Sequence, residues 1–233
     1  MLVYGRNVAL EILEKKEKVK KIILQDDFND KNLMALIEAS NLPVEYLSKR
    51  EIGHLVDGVT QGIILDIPDY KYLSLNDLLN REPTLVVILD HLEDPHNLGA
   101  IIRTSEAAGV DAIIIPRDRQ IGVNATVMKT SAGALTNIDI VSETNLVNTI
   151  SKLKEAGFWI VGSALDDNSV DFKSIDYSGK IALVIGNEGA GMSSLVKKNC
   201  DFIAKIPMYG KINSLNASVA AGLMIYEVVR NRK

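Results

Sequence analysis

"IPMYGKINSLNASVAAGLMIYE", residues 206–227, leaves an apolar strand and ends in an apolar helix, and its middle is too polar for either. The second half repeats apolar residues at helical spacing, which predicts a packing stripe of Leu215, Val219, Gly222, Leu223 and Tyr226. The first half carries Asn213, Ser214, Asn216 and Ser218. Ser214 is a credible N-cap, satisfying one unpaired N–H of the first turn. A cap accounts for one polar residue of the four. The others either line a neutral binding pocket or complete hydrogen bonds where the helix meets a symmetric partner.

Two segments upstream share this placement after an apolar strand. In "LDHLEDPHNLGAIIRTSEAAG", residues 89–109, Asp90, Asp94, Pro95 and Asn97 follow the strand, and Leu98, Ile101 and Ile102 mark the buried side of a helix. Arg103 lies on another side between small neighbours, Ala100 and Ala107. It is either a cation kept for an anion or carbonyls, or a surface arginine loosely paired with Glu106 or Asp111. In "ALVIGNEGAGMSSL", residues 182–195, three glycines within six residues separate a strand from a helix near Ser193 or Ser194. Such a loop is either a plain turn or a place where backbone groups approach a ligand closely. It lacks the G-K-[ST] of a P-loop and the spacing of a dinucleotide fingerprint, and Glu188 would repel phosphate. A hydroxyl, amine or sulfonium ligand suits it better.

These segments belong to a longer pattern. The apolar runs "LVVILD", "AIIIP", "IDIVS", "FWIVGSA" and "IALVIG" alternate with helical stretches at 97–109, 124–134 and 145–156. Near-continuous apolar strands between helices predict a parallel sheet covered on both faces, with ligands beyond the carboxyl ends of its strands. The first 68 residues read as αβαβαβ, a small three-layer domain. Its elements are a helix over 4–16, a strand over 19–25, a helix over 30–41 capped by Asp30, and then the short runs "PVEYLS", "KREIGHLVD" and "QGIILDIP". Residues 69–83, bracketed by Pro68 and Pro83, read as a linker with one short helix. The predicted organisation is therefore a domain over 1–68, a linker over 69–83 and an α/β domain over 84–233.

Composition narrows the class. The chain has 233 residues, 47% of them hydrophobic, one cysteine and a net charge of −4. Acidic residues outnumber basic ones 14 to 11 over residues 1–82 and 16 to 15 over 83–233, so bulk electrostatics gives no reason to expect nucleic acid. The basic clusters Lys15–Lys21, Arg117 with Arg119, and Arg230, Arg232 and Lys233 can equally be solvated faces. A lone Cys200 excludes a disulfide framework, reads as a small core residue rather than a nucleophile, and fits a cytoplasmic setting. The N-terminus has no apolar signal core, and no apolar run reaches the roughly 18 residues of a membrane span. His54, His91 and His96 lack metal-ligand spacing, so no metal is expected, and there is no G-x-S-x-G elbow.

Taken together and in order, the three segments resemble the signature motifs of the SpoU (TrmH-type) family of the SPOUT superfamily. The match runs through N-L-G-A-x-x-R-[TS] at 97–104, I-G-N-E-G-x-G at 185–191 and I-P-M-x-G-x-[VI]-x-S-L-N-x-S at 206–218. "YGRNVALEIL" and "VTQGIILDIP" look like the two ends of the substrate-binding domain of bacterial guanosine methyltransferases of large-subunit (23S) rRNA, which is similar to ribosomal protein L30e. The resemblance implies an RNA ribose 2′-O-methyltransferase using S-adenosylmethionine. It also implies a deep trefoil knot made by threading residues 206–230 through a loop, where general topology rules predict an unknotted sheet. A homodimer pairing the C-terminal helix with the helix of Arg103 is implied as well.

By the same resemblance, Gly186, Asn187, Gly189, Ile206, Met208, Leu215, Asn216 and Ser218 would surround the cofactor. Asn97, Arg103, Glu188, Ser214 and Asn216 would form the catalytic set, with Asn97 holding Arg103, and Glu188 and Asn216 fixing the loop and ligand. Arg6, Asn7, Arg117 and Arg119 are the expected RNA contacts. Ribosomal RNA is the expected substrate. A tRNA ribose is the nearest alternative, and a non-catalytic RNA-binding assembly factor a more distant one.

Overall fold

The computed structural model describes every residue except Asp57, Asp167, Asn213 and Lys233, so two of the residues singled out above, Asn213 and Lys233, lie outside the described residues. The chain forms two compact units, Met1–Lys71 with Asn124–Lys129, and Tyr72–Val123 with Thr130–Lys233.

The first unit holds β1 (Leu2–Tyr4), α1 (Arg6–Glu14), β2 (Lys21–Gln25), α2 (Lys31–Ser40), β3 (Val44–Leu47), α3 (Lys49–Leu55) and β4 (Ile63–Asp66). Its sheet runs β1-β4-β2-β3, with β4 antiparallel to both neighbours and β2 parallel to β3. Asp30 caps α2 by accepting from the Leu33 N–H, as its position predicts, and Ser48 with Glu51 forms a capping box on α3. β1 is an element the helical reading of 4–16 missed. Gly5, at φ 99°, breaks the helix there and turns the chain out of a three-residue strand. Val3, Ile12, Ile22, Leu24, Leu33 and Leu65 fill the core, and Ala125 and Met128 pack against it from much later in the chain.

The second unit begins at Tyr72, inside the stretch 69–83 expected as a linker, and carries the large parallel sheet. It contains α4 (Leu75–Leu79), β5 (Leu85–Asp90), α5 (Pro95–Ala107), β6 (Ala112–Pro116), α6 (Ala125–Ser131, whose first turns belong with the first unit) and β7 (Asp139–Glu143). It continues through α7 (Leu146–Glu155), β8 (Phe158–Ser163), β9 (Val170–Asp171), β10 (Lys180–Gly186), α8 (Ser194–Lys198), β11 (Phe202–Lys205) and α9 (Ala217–Asn231). The seven strands are ordered β7-β6-β5-β10-β8-β11-β9 and every pairing is parallel. Val86, Val87, Ile88, Leu89, Ala182, Leu183 and Val184 of the two central strands are fully buried. Each large aliphatic of this kind contributes about 1.5–3 kcal/mol, which is why these strands read as unbroken apolar runs. Strand order reverses at β5 and β10, the place where an open parallel sheet leaves a crevice.

The helix of the opening stretch departs from its sequence reading in two ways. Its N-cap is Asn216, not Ser214: the Asn216 side chain accepts from the N–H groups of Ser218 and Val219, and the helix starts at Ala217. Its buried face is Ala217, Ala221, Met224, Ile225 and Val228, whereas Val219, Leu223 and Tyr226 stay about half exposed. Both faces are apolar, so periodicity could not choose between them. α9 lies against α5 within the chain, and a Cβ placed on Gly222 would meet Thr104 Cγ2 at an ordinary 3.7 Å.

The far end of α9 is tied down by polar bonds. The Arg232 guanidinium donates to the Thr84 and Gly179 carbonyls at 2.6 and 2.7 Å. Glu227 is buried and accepts from Arg230 Nε at 3.1 Å and from Asn231 Nδ2. Hydrogen bonding from Arg230 holds the Glu227 carboxyl below the usual carboxylate range. A lowered folded pKa means that this contribution is complete above the unfolded value of about 4.3 and is lost as pH falls through the folded one. Thermal unfolding between about pH 5 and pH 3 should therefore show a shallower loss of stability in Glu227→Gln than in the parent chain.

Candidate active site

The crevice at the strand-order reversal is built from the ends of β5 and β10. Asp90 ends β5 fully buried. One of its carboxylate oxygens accepts from the Ser193 N–H at 2.6 Å, closing the glycine loop against the strand, and the other lies 2.5 Å from His91 Nδ1. His91 turns the chain at φ 64°, and its carbonyl accepts from Asn187 Nδ2 at 2.8 Å. Asp94 then caps α5 by accepting from the His96 N–H, with Pro95 in the first turn. That start places Asn97 in the first turn of α5, facing inward and 7% exposed.

Asn97 is the junction of the site. Its Nδ2 donates to the Glu188 carboxylate, and its Oδ1 accepts from Asn216 Nδ2 at 2.9 Å. Asn216 Oδ1 in turn accepts from the Ser218 hydroxyl at 2.6 Å. One side-chain relay thus joins the α5 start, the glycine loop and the α9 start. A serine could cap the helix, but an amide caps it with its oxygen and reaches Asn97 with its nitrogen. That dual demand explains the polarity of the opening stretch.

The glycine loop is a tight reversal. Asn187 and Gly191 exchange backbone hydrogen bonds at 3.0 and 2.9 Å, and Asn187 Oδ1 accepts from the Gly189 N–H at 2.8 Å. A Cβ on Gly186 would lie 2.4 Å from both Gly191 C and Met192 N, so only glycine fits. A cavity of about 370 Å³ opens here, lined by residues 186–192 together with Ile206, Met208, Ser214 and Leu215. Gly186, Asn187, Gly189, Ile206, Met208 and Leu215 of the expected cofactor set therefore share one cavity, while Asn216 and Ser218 lie outside its lining. Its walls offer a carboxylate, hydroxyls and backbone groups, with the one lysine of the lining, Lys197, paired to Asp166. That chemistry fits a cationic sulfonium bearing an adenosine better than a phosphate ester.

Arg103 corrects one expectation and sharpens another. It is not held by Asn97, whose amide is taken up by Glu188 and Asn216. Nor do the nominated surface partners reach it. Glu106 accepts from Asn137 Nδ2, and Asp111 accepts from the Thr84 and Leu85 N–H groups at 2.7 and 2.9 Å. Arg103 is exposed and forms no ion pair or hydrogen bond among the described residues. Six residues beyond Asn97 on the same helix, it stands about 9 Å further along the axis.

The remaining expected residues are dispersed. Arg6 lies in the first unit with its guanidinium 5.3 Å from the Phe28 ring centroid and 3.4 Å from Asp30, and Asn7 is exposed beside it. Arg117 and Arg119 are exposed after β6. Burial pushes the Cys200 thiol up to about 12, so it is inert. No cluster of metal-ligating side chains occurs among the described residues, and no described helix is long and apolar enough to cross a membrane. Sequence reading left out the clamp role of Asp90. Its signal was a carboxylate ending an otherwise wholly apolar six-residue strand.

Residues 84–226 match the model of the SpoU rRNA methylase family. The chain belongs to that family. Residues 2–73 separately match the model described as RNA 2′-O ribose methyltransferase substrate binding. The Bacillus subtilis protein YacO, named for the TrmH family of tRNA/rRNA methyltransferases, is 40% identical over 99% of this chain and 95% of its own length. Among solved structures, the SpoU methyltransferase AviRb from Streptomyces viridochromogenes, in complex with the cofactor AdoMet, superposes with a TM-score of 0.75 at 25% identity, covering 100% of this chain and 90% of that one. An AdoMet-bound rRNA methyltransferase from Sinorhizobium meliloti gives 0.75 at 28% identity, covering 98% and 86%. The A. aeolicus TrmH/SpoU tRNA modifying enzyme gives 0.59 at 33% identity, covering 68% of this chain and 82% of that one.

Proposed function

We propose that this chain transfers the methyl group of S-adenosylmethionine to a ribose 2′-hydroxyl of large-subunit (23S) rRNA, at a guanosine, in the cytoplasm. The observation that carries this reading is the relay Glu188–Asn97–Asn216, which joins all three motifs beside one glycine-walled cavity, with Arg103 further along the Asn97 helix and without an ion pair among the described residues. When bound, S-adenosylmethionine supplies a methyl group made electrophilic by a cationic sulfur. Gly186, Asn187, Gly189, Ile206, Met208 and Leu215 would hold it through backbone and apolar contact, and the Glu188 carboxylate would offer a counter-charge to its sulfonium. Asn216 and Ser218 act at one remove by fixing the start of α9.

The chain's remaining task is to place the ribose hydroxyl. Arg103 anchors the phosphate of the target nucleotide and stabilises the negative charge that develops on the 2′-oxygen as the hydroxyl proton passes to solvent water. A guanidinium keeps its charge in proteins, so it serves here as a cation rather than a base. Orientation of this kind is worth on the order of 7–11 kcal/mol in favourable cases. Ser214, on the cavity wall, completes the polar set. Arg6 and Asn7 in the first unit, with Arg117 and Arg119 in the second, contact the RNA backbone, so a few local cations replace a basic body.

Substrate choice is supported by coverage. The rRNA methyltransferase from Sinorhizobium meliloti spans 98% of this chain, whereas the A. aeolicus tRNA modifying enzyme spans 68%. A tRNA ribose is the second reading, since the Bacillus and Staphylococcus relatives are named as tRNA/rRNA methyltransferases. A homodimer is part of the same proposal, supported by the half-exposed stripe Val219, Leu223 and Tyr226 on α9. So is the trefoil knot, supported by the return of the chain after β11 to line the same cavity as the glycine loop. The test uses purified protein, tritiated S-adenosylmethionine, and rRNA and tRNA from cells lacking the gene. Label in the large rRNA alone is expected. Label in tRNA alone would replace the substrate while keeping the reaction.

A further inference from the structure

A second cavity in the same unit, of about 500 Å³, opens where β6 and β7 end. Ile115 and Pro116 supply an apolar floor, Tyr72 an aromatic ring at the rim, and Arg117, Gln120 and Glu143 polar groups around it. Two features set it apart from an ordinary surface hollow. Arg117 and Glu143 are joined through the backbone, N–H to carbonyl at 2.8 Å, and both line the cavity, yet their side chains form no ion pair with each other or with any other described residue. Gln120 links the cavity to the turn beside the active site. Its Oε1 accepts from the Leu92 N–H at 2.7 Å, and Leu92 follows the His91 carbonyl that Asn187 of the glycine loop grips.

We propose that this cavity receives an unpaired nucleobase of the RNA substrate, guanine by preference, with Arg117 on its phosphate. The inference rests on RNA being the substrate and names a subsite for it. An apolar floor and a tyrosine ring suit the flat face of any base. The carboxylate discriminates: of the four RNA bases only guanine presents two adjacent donors, N1–H and N2–H, to match the two oxygens of Glu143. Arg117 answers the phosphate, which Glu143 repels. Through Gln120, Leu92 and His91 the occupied subsite bears directly on the turn that supports the glycine loop, so a guanosine near the target also steadies the catalytic crevice.

The test titrates the full-length chain with the fluorescent pentaribonucleotides UUGUU and UUUUU and follows anisotropy. UUGUU should bind tighter by on the order of tenfold, the worth of one good bidentate base contact. Glu143→Gln should erase that preference while UUUUU and S-adenosylmethionine bind as before, and Arg117→Ala should weaken both oligonucleotides alike. Equal binding of the two probes by the parent chain, or a preference that survives Glu143→Gln, would overturn the proposal. These binding measurements do not depend on methyl transfer. A guanine preference that disappears in Glu143→Gln, in a protein that labels no RNA, would overturn the proposed activity and leave the subsite standing.

Discussion

Arg103→Ala is expected to lose methyl transfer by a factor on the order of 10² to 10³, the range seen when one charge-stabilising donor is removed from an active site. The fold should not notice. Arg103 is exposed, makes no described polar contact and lies outside the lining of the 370 Å³ cavity, so its truncation should move stability by no more than about 0.5 kcal/mol. S-adenosylmethionine affinity, read by calorimetry, should stay near the parent value. A variant that binds cofactor normally and still methylates RNA at the parent rate would remove Arg103 from the reaction. Arg103→Lys makes the companion test. A lysine keeps the charge but not the planar fork, so it should recover only part of the rate if the arginine holds a phosphate through two oxygens.

Gly186→Ala should produce the opposite separation, with cofactor binding lost first. The added methyl would sit 2.4 Å from backbone atoms of Gly191 and Met192, and backbone has no rotamer with which to retreat. The loop must shift, breaking the Asn187–Gly191 reversal and moving Glu188 away from Asn97. Misplacement by about 1 Å commonly costs on the order of 10²-fold in a preorganised site, and the overpacking itself costs about 1–3 kcal/mol of stability. Gly189→Ala is the internal control. A Cβ there meets no protein atom closer than Asn187 Oδ1 at 3.5 Å, so the loop should keep its shape and stability should change far less. Equal losses of stability in the two variants would mean that loop flexibility, not the close approach at Gly186, governs the loop.

The parallel sheet was legible because strands buried on both faces cannot hide: residues 85–90 and 181–185 are apolar almost without interruption. The glycine loop was legible for the same kind of reason, since close backbone approach leaves glycine no substitute at 186. What could not be read were choices between equally apolar or equally polar alternatives. α9 carries aliphatic residues on two faces, and the one that turned inward is the alanine-rich face. Ser214 and Asn216 are both capping residues, and only the position of Asn97, 119 residues away in sequence, selects the asparagine. β1 and β9, at three and two residues, are too short for any periodicity to register. The attachment of residues 124–129 to the first unit depends on Ala125 and Met128, ordinary helix formers whose partners no local pattern reveals.

The reaction assigned to the site is most directly tested by the chemical position of the transferred methyl. RNA treated with the purified protein and S-adenosylmethionine carrying a deuterated methyl group is digested to nucleosides and analysed by mass spectrometry. A labelled nucleoside is expected whose three-deuteron methyl fragments with the ribose, matching a 2′-O-methyl standard, with a yield from Arg103→Ala lower by a factor on the order of 10² to 10³. A label that fragments with the base would contradict it, because the crevice would then be presenting a ring nitrogen or carbon rather than a ribose hydroxyl.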